Sequence, residues 1–257
     1  MVSELVSGRE LIWRLFVRDF LAKYKQAAFG IAWALIMPVA MVGVFLFLSK
    51  AGVLIIGTTN VPYPVYALVG LTIWQLFATG ISTCSNSIVA GGSMVVKINF
   101  AKESLIIASF AQSIFEFIVR AILLAAVFAW YGIVPHWTSV FFPLMLIPLV
   151  LLTIGLGFIT SLVTVILRDM QNIIVLATTI LLFLTPVLYI PVSNGAMAKI
   201  NEINPLAILI GAPRDMLLTG SVPRFDYYII ASVLSAVIFL AGWRVFHIVE
   251  PRMAERA

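Results

Sequence analysis

Charged side chains are scarce in this sequence. Only 11% of its 257 residues are Asp, Glu, Lys or Arg, against 62% that are hydrophobic. A soluble domain carries roughly 25% charged and about 45–50% apolar residues. No water-soluble globule of this length could bury so much apolar surface and still cover itself with polar groups. Cysteine is reduced to Cys84, which excludes an internal disulfide and a thiolate metal cluster and leaves the redox compartment open. Histidine occurs twice. His136 is expected in an outer loop and His247 at the inner end of the last span, so without a partner chain they form neither a metal pair nor an intramembrane serine–histidine dyad. No G-x-x-x-x-G-K-[ST] phosphate loop is present, so nucleotide has no ordinary seat here. Neither catalysis nor a bound cofactor or metal is expected of this chain. Residues 1–27 carry several charges and no short apolar core leading to an A-x-A site, so a cleavable signal is not expected. No internal repeat and no soluble domain is visible.

Long apolar runs fill the space these absences leave, and mean hydropathy reaches +1.12. The solvent implied is lipid. There an unpaired backbone group costs several kcal/mol, so spanning segments are helices or closed barrels. Unbroken runs without dyad alternation select helices. At about 20 apolar residues per crossing, the sequence predicts an all-α integral membrane protein with six transmembrane helices. They run at about 28–48, 65–89, 104–131, 141–166, 172–190 and 227–247, within a single transmembrane domain over 1–257. An even number puts both termini on one side. With a cytoplasmic N-terminus, eleven Lys and Arg fall inside, four (Lys50, Lys199, Arg214, Arg224) fall outside, and Arg120 lies within a span. The positive-inside rule therefore places both ends in the cytoplasm. The net charge of +5 and pI ≈ 9.5 would suggest nucleic acid in a soluble chain. Here they reflect cations held inside and against anionic lipid headgroups, and no nucleic-acid partner is expected.

Two segments are neither spans nor simple loops. Across residues 5–25, Trp13, Phe16, Val17, Phe20, Leu21 and Tyr24 recur at helical steps on one face, opposite Glu10, Arg14 and Arg18. That pattern predicts an N-terminal amphipathic helix lying in the membrane interface, as an anchor or as a docking element. Residues 191–226 are too long for a turn and too polar to span. Their apolar stretch Pro205–Ala212 covers roughly 12 Å as a helix, well short of the bilayer. It reads as a re-entrant or surface-lying hairpin on the outer side between spans five and six.

Polar residues within spans are expensive. Gln112, Glu116 and Arg120 stand four apart in the third span, and Glu116 can pair with Arg120. One reading is a self-neutralised stripe packed against other helices; the other is contact with a polar substrate, a subunit or a gate. Thr153, Gly157 and Ser161 form a small-residue stripe expected to pack closely. Trp33, Phe45, Phe183 and Tyr189 are interfacial anchors by default, or pore aromatics along which sugar rings could slide.

Several elements in order resemble the membrane subunits of type 2 ABC transporters, in particular exporters of O-antigen, capsule and teichoic-acid polymers. Early in the chain these are Arg18-Asp19, Lys23-Tyr24-Lys25, Phe29-Gly30, Trp33 and Pro38, then Gly70 and Trp74. Val95 to Phe100 followed by Ala101-Lys102-Glu103 is similar to the family's inner loop, with Ala101 where a proline is usual. Later come Gly155-Leu156-Gly157, Arg168-Asp169, Thr185-Pro186-Val187-Leu188-Tyr189, Asn204-Pro205, Arg214, Phe246 and Glu250 to Ala254. The resemblance implies a homodimer with two copies of a separate ATPase that binds ATP and Mg. It implies a lipid-linked polysaccharide substrate and the bacterial cytoplasmic (inner) membrane as location. Arg9, Arg14, Lys97 and Lys102 become candidates for ATPase docking. Arg18, Lys23 and Lys25 are candidates for a lipid-diphosphate entrance, and Pro186, Asn204, Pro205 and Arg214 for an outer gate. Three rivals are an exporter of small lipids or drugs with the same layout, a secondary transporter, and a non-transporting scaffold. A secondary transporter would need ionisable groups near the midplane, and only Glu116 and Arg120 supply them.

Overall fold

Every regular element among the described residues of the computed structural model is helical; these are 9–25, 29–51, 61–92, 100–167, 169–191 and 195–253. The helices are α1 (Arg9–Tyr24), α2 (Trp33–Lys50), α3 (Tyr63–Gly91), α4 (Glu103–Tyr131), α5 (Phe142–Met145), α6 (Ile147–Ile166), α7 (Met170–Leu184), α8 (Ala196–Ile203), α9 (Pro205–Thr219) and α10 (Phe225–Met253). Five helical runs are long and apolar enough to cross a membrane: Gly30–Lys50, Tyr63–Gly91, Glu103–Trp130, Trp137–Ile166 and Phe225–Glu250.

The expected span at 172–190 is shorter than its apolar run. Helix α7 stops at Leu184, and its 15 residues reach only about 22 Å against a hydrocarbon core near 30 Å. Pro186 sets the stop. It offers no N–H, and it pushes Thr185 into the extended region, at φ −105 and ψ 134. The chain nonetheless travels the length of α3. Gln171 at the start of α7 donates to Ser82, while Leu188 after the turn accepts from Tyr63. Those α3 positions lie about 28 Å apart along a helix.

Helix α3 is the centre of the bundle. Of its membrane-length window 78% is buried, against 17% for the first run. Leu71, Ile73 and Phe77 of α3 meet Leu149 of α6, Leu188 of the turn and Leu209 of α9 in the main core. Helix α4 packs along α3, and α10 along α6. The small-residue stripe is what lets α6 approach. A Cβ on Gly157 would sit 2.6 Å from Cys84 Cβ, and one on Gly80 would sit 2.7 Å from Thr153 Cγ2. On another face of α6, a Cβ on Gly155 would meet Phe239 Cα at 2.6 Å, and one on Gly242 would strike the Gly155 carbonyl. Close backbone approach through small residues is how helices associate where lipid removes the hydrophobic drive.

Helix α1 lies against α4. Leu15 is its buried contact, with Leu11, Ile12 and Phe16 beside it. Phe20 meets Phe115 edge-on at 4.8 Å. Trp13 and Leu21 stay exposed on the other flank. The apolar surface is therefore shared between the protein and the outside, broader than the single face read from spacing. Helices α8 and α9 form a bent pair joined at Asn204. Asn204 caps α9 by accepting from Leu206 N at 3.0 Å, and Pro205 takes the first helical position, where its missing N–H costs nothing. Helix α9 runs on through Pro213 to Thr219, longer than the eight-residue apolar stretch within it.

Candidate functional site: a buried charge hub and a proline turn

Glu116 is the hub of the first constellation. It sits midway along α4 and is 5% exposed. Its Oε1 accepts from Lys23 Nζ at 2.6 Å and from the Tyr24 hydroxyl at 2.7 Å. Its Oε2 accepts from Arg120 Nη2 at 2.8 Å. Arg120 also donates through Nε to the Ala34 carbonyl at 3.2 Å, and its Nη1 is buried without a partner among the described residues. The pairing read from the i, i+4 spacing is present, but the stripe is not self-contained. One carboxylate serves two cations and ties α1, α2 and α4 together, leaving one positive charge in excess. Burial and the Glu116 carboxylate push the Tyr24 hydroxyl above its usual range, so it stays a donor. Tyr24 and Ala34 carried no sequence signal for this role, since both act through neighbours 80 or more positions away.

The three candidate entrance cations differ in what holds them. Lys23 is engaged by Glu116, Arg18 pairs with Asp19 at 2.7 Å, and Lys25 is exposed with no side-chain partner among the described residues. Of the docking candidates, Arg9 and Arg14 are exposed, with Arg14 on Glu10 at 2.7 Å. Lys97 lies outside the described residues. Lys102 is buried, its N–H donating to Glu250 Oε1 at 2.9 Å and its Nζ to the Glu250 carbonyl at 3.4 Å. Beside it Glu103, His247 and Glu250 each bring a potential ligand atom within 4.8 Å of the others. His247 Nδ1 lies 3.3 Å from Glu103 Oε1. Lys102 already supplies a cation to this group, which fastens the start of α4 to the end of α10.

The second constellation gathers the proline-turn elements at the opposite end of α3. Arg214 is 2% exposed; its Nη1 donates to the Pro186 carbonyl at 2.8 Å, and its guanidinium lies 4.3 Å from the Tyr66 ring centre. Asn204 donates to Thr185 Oγ1 at 3.0 Å. Tyr63 donates to the Leu188 carbonyl at 2.9 Å, and the Tyr189 hydroxyl turns back to the Phe183 carbonyl at 3.1 Å. Gly70 leaves room for the turn, since a Cβ there would meet the Val187 carbonyl oxygen at 2.5 Å. Burial holds the Asp215 carboxyl above the usual carboxylate range, with neighbouring Arg214 pulling it back. Pro186, Asn204, Pro205 and Arg214 are thus one connected unit: a non-helical turn clamped onto the α8–α9 pair. Among the aromatics, Trp33 and Phe183 are exposed, Phe45 is half-buried against the core, and Tyr189 is half-buried at the turn.

The family model described as "ABC-2 type transporter" matches residues 10–218. That match takes in α1 through α9, both constellations included. The O-antigen export system permease protein RfbA of Myxococcus xanthus is 25% identical over 260 residues, covering 99% of this chain and 98% of that protein. A protein of the same name from Klebsiella pneumoniae is 24% identical over 243 residues, covering 93% and 91%. An apolar multi-helix bundle and a family match over most of its length make this chain an integral membrane protein of the ABC-2 type transporter family.

Proposed function

We propose that this chain is the membrane subunit of an ATP-driven exporter that carries a lipid-linked polysaccharide, of O-antigen type, outward across the bacterial cytoplasmic membrane. The observation that carries the reading is the near end-to-end likeness to two permease proteins named for O-antigen export. The chain works as a homodimer with two copies of a separate ATPase, which binds ATP and Mg. Six crossings leave both termini in the cytoplasm, and the run of α7 along α3 supports the sixth. Helix α1 lies in the inner interface, where exposed Trp13 and Leu21 suit lipid. The α8–α9 pair forms the outer gate, with Arg214 latching it to the proline turn.

In this arrangement the inner ends of α1, α4 and α10 take up the motor's movement. Coupling requires contacts that differ between two states, and the Lys23–Glu116 ion pair and the two hydrogen bonds from Lys102 to Glu250 sit at joints between such elements. Arg18, Lys23 and Lys25 form the entrance for the lipid diphosphate, and Lys25 is the cation left open for a phosphate oxygen. The test is a deletion of this subunit in the source cell. Lipid-linked polymer should accumulate on the cytoplasmic side while its synthesis continues. Surface polymer at the normal rate, in a strain with no second exporter, would overturn the reading.

A further inference from the structure

A cavity of about 410 Å³ lies between α1, α3, α4 and α7, near the inner end of α3. Amides and hydroxyls reach it from Ser82, Asn86, Ser109, Gln112 and Gln171, among apolar wall atoms and with Lys23 at the α1 side. Two of these amides are left incomplete. Gln112 is only 8% exposed and makes no side-chain hydrogen bond among the described residues. Gln171 donates to Ser82 Oγ at 2.6 Å, yet its Oε1 is buried and unpartnered. A buried amide atom without a partner is costly, and Gln171 carries that cost, while the Gln112 amide has its hydrogen-bonding capacity unused within the chain; together they point to an occupant.

The chemistry of that occupant follows from what is already engaged. Lys23 is committed to Glu116 at 2.6 Å, and Asp19, which also lines the cavity, is paired with Arg18 at 2.7 Å. The charged groups that line the cavity are thus each engaged within the chain, and the capacity left over along its wall is neutral. An apolar chain would strand the amides. Groups that both donate and accept are what amides and hydroxyls can satisfy together, and the volume falls within the roughly 300–1,000 Å³ of small-molecule sites. We infer that this cavity holds an uncharged, polyhydroxylated sugar unit of the exported glycan as it enters from the cytoplasm, with Gln112 and Gln171 as its hydrogen-bonding partners. The inference rests on the proposed export of a lipid-linked glycan.

The test uses vesicles containing the full complex with its ATPase, and lipid-linked glycan extracted from cells lacking this subunit. Asn86→Cys in a Cys84→Ser background places one thiol at the cavity wall. Added glycan should slow its labelling by maleimide. Gln112→Leu or Gln171→Leu should raise the protecting concentration about three- to tenfold, as expected for one lost hydrogen bond. Their thermal midpoints should hold or rise, because an incomplete buried amide has been removed; a purely structural role would lower them. Ala90→Leu, which narrows the same cavity from an exposed position without deleting a polar group, should weaken protection as well. If the vesicles export glycan but it protects the thiol in none of these complexes, or protects all of them equally, the cavity holds water only and the inference is overturned. Failure of the unsubstituted complex to export glycan at all would instead overturn the export reading, and this one with it.

Discussion

Glu116 answers to two cations, and that makes substitutions around it unequal. Replacing it by Gln leaves Arg120, 4% exposed, without its carboxylate. Breaking a buried pair from one side costs about 3–5 kcal/mol. Glu116→Gln is therefore expected to lower the yield of assembled complex and its thermal midpoint in detergent. Lys23→Gln should cost less, because Arg120 still neutralises the carboxylate and Lys23 is partly exposed. Lys25 is the opposite case. Its side chain makes no hydrogen bond or ion pair among the described residues, so Lys25→Gln should leave assembly unchanged and reduce export per complex; Lys25→Arg should keep much of it, since either cation meets a phosphate oxygen. Normal export by Lys25→Gln would remove this residue from the entrance. The i, i+4 spacing was enough to read the Glu116–Arg120 pair. Lys23 and Tyr24 could not be read as its partners, because nothing local in a sequence records which faces of distant helices meet.

Helix contacts at the next scale depend on small residues and on one proline. Gly155 and Gly242 bring α6 and α10 within backbone contact. A Val at position 242 would drive its side chain into the Gly155 carbonyl, and overpacking of this kind costs about 1–3 kcal/mol. Gly242→Val should therefore loosen α10 from α6, seen as faster proteolysis or a lower thermal midpoint, while Gly43→Val, with open space around it, serves as the neutral control. At the other end, Arg214→Met leaves the Pro186 carbonyl unpaired in a buried place. Arg214→Lys cannot restore the flat contact with Tyr66. Both should reduce export more than they reduce assembly if the turn works as a gate. The stripe Thr153, Gly157 and Ser161 was legible because four-residue steps on an apolar helix have one meaning. Gly155 was visible as part of a resemblance, but its partner Gly242 was not. The end of α7 was misjudged by hydropathy, which reads through Thr185 and Pro186 where backbone geometry does not.

The order of crossings belongs to the whole molecule, and the contacts at the two ends of the bundle constrain it. One end gathers Tyr63, Leu188, Arg214 and the 137–141 turn, whose Ser139 donates to the Leu217 carbonyl. The other gathers Lys102, Glu103, His247 and Glu250, with Gln171 on Ser82 nearer that side. Helices α3, α4, α6 and α10 run between the two groups, so assigning a side to one end assigns it for all four. In the proposed arrangement, with eleven cations on one side against four on the other, the Lys102 end is the cytoplasmic one. Helix α7 alone is short for a crossing; the proposed sixth crossing has the turn after it complete the distance inside protein, where irregular backbone is tolerated at membrane depth. This yields a labelling pattern that a five-crossing chain could not give. In a Cys84→Ser background, Val134→Cys and Ile203→Cys, both on exposed positions, should react with an impermeant maleimide on intact cells. Arg9→Cys should react only after the membrane is opened. Were α7 to turn back without crossing, Ile203 would share the cytoplasmic side with Asp169 and stay silent while Val134 reacted. Reaction at both, with silence at Arg9, is the outcome that the path of α7 along α3 requires.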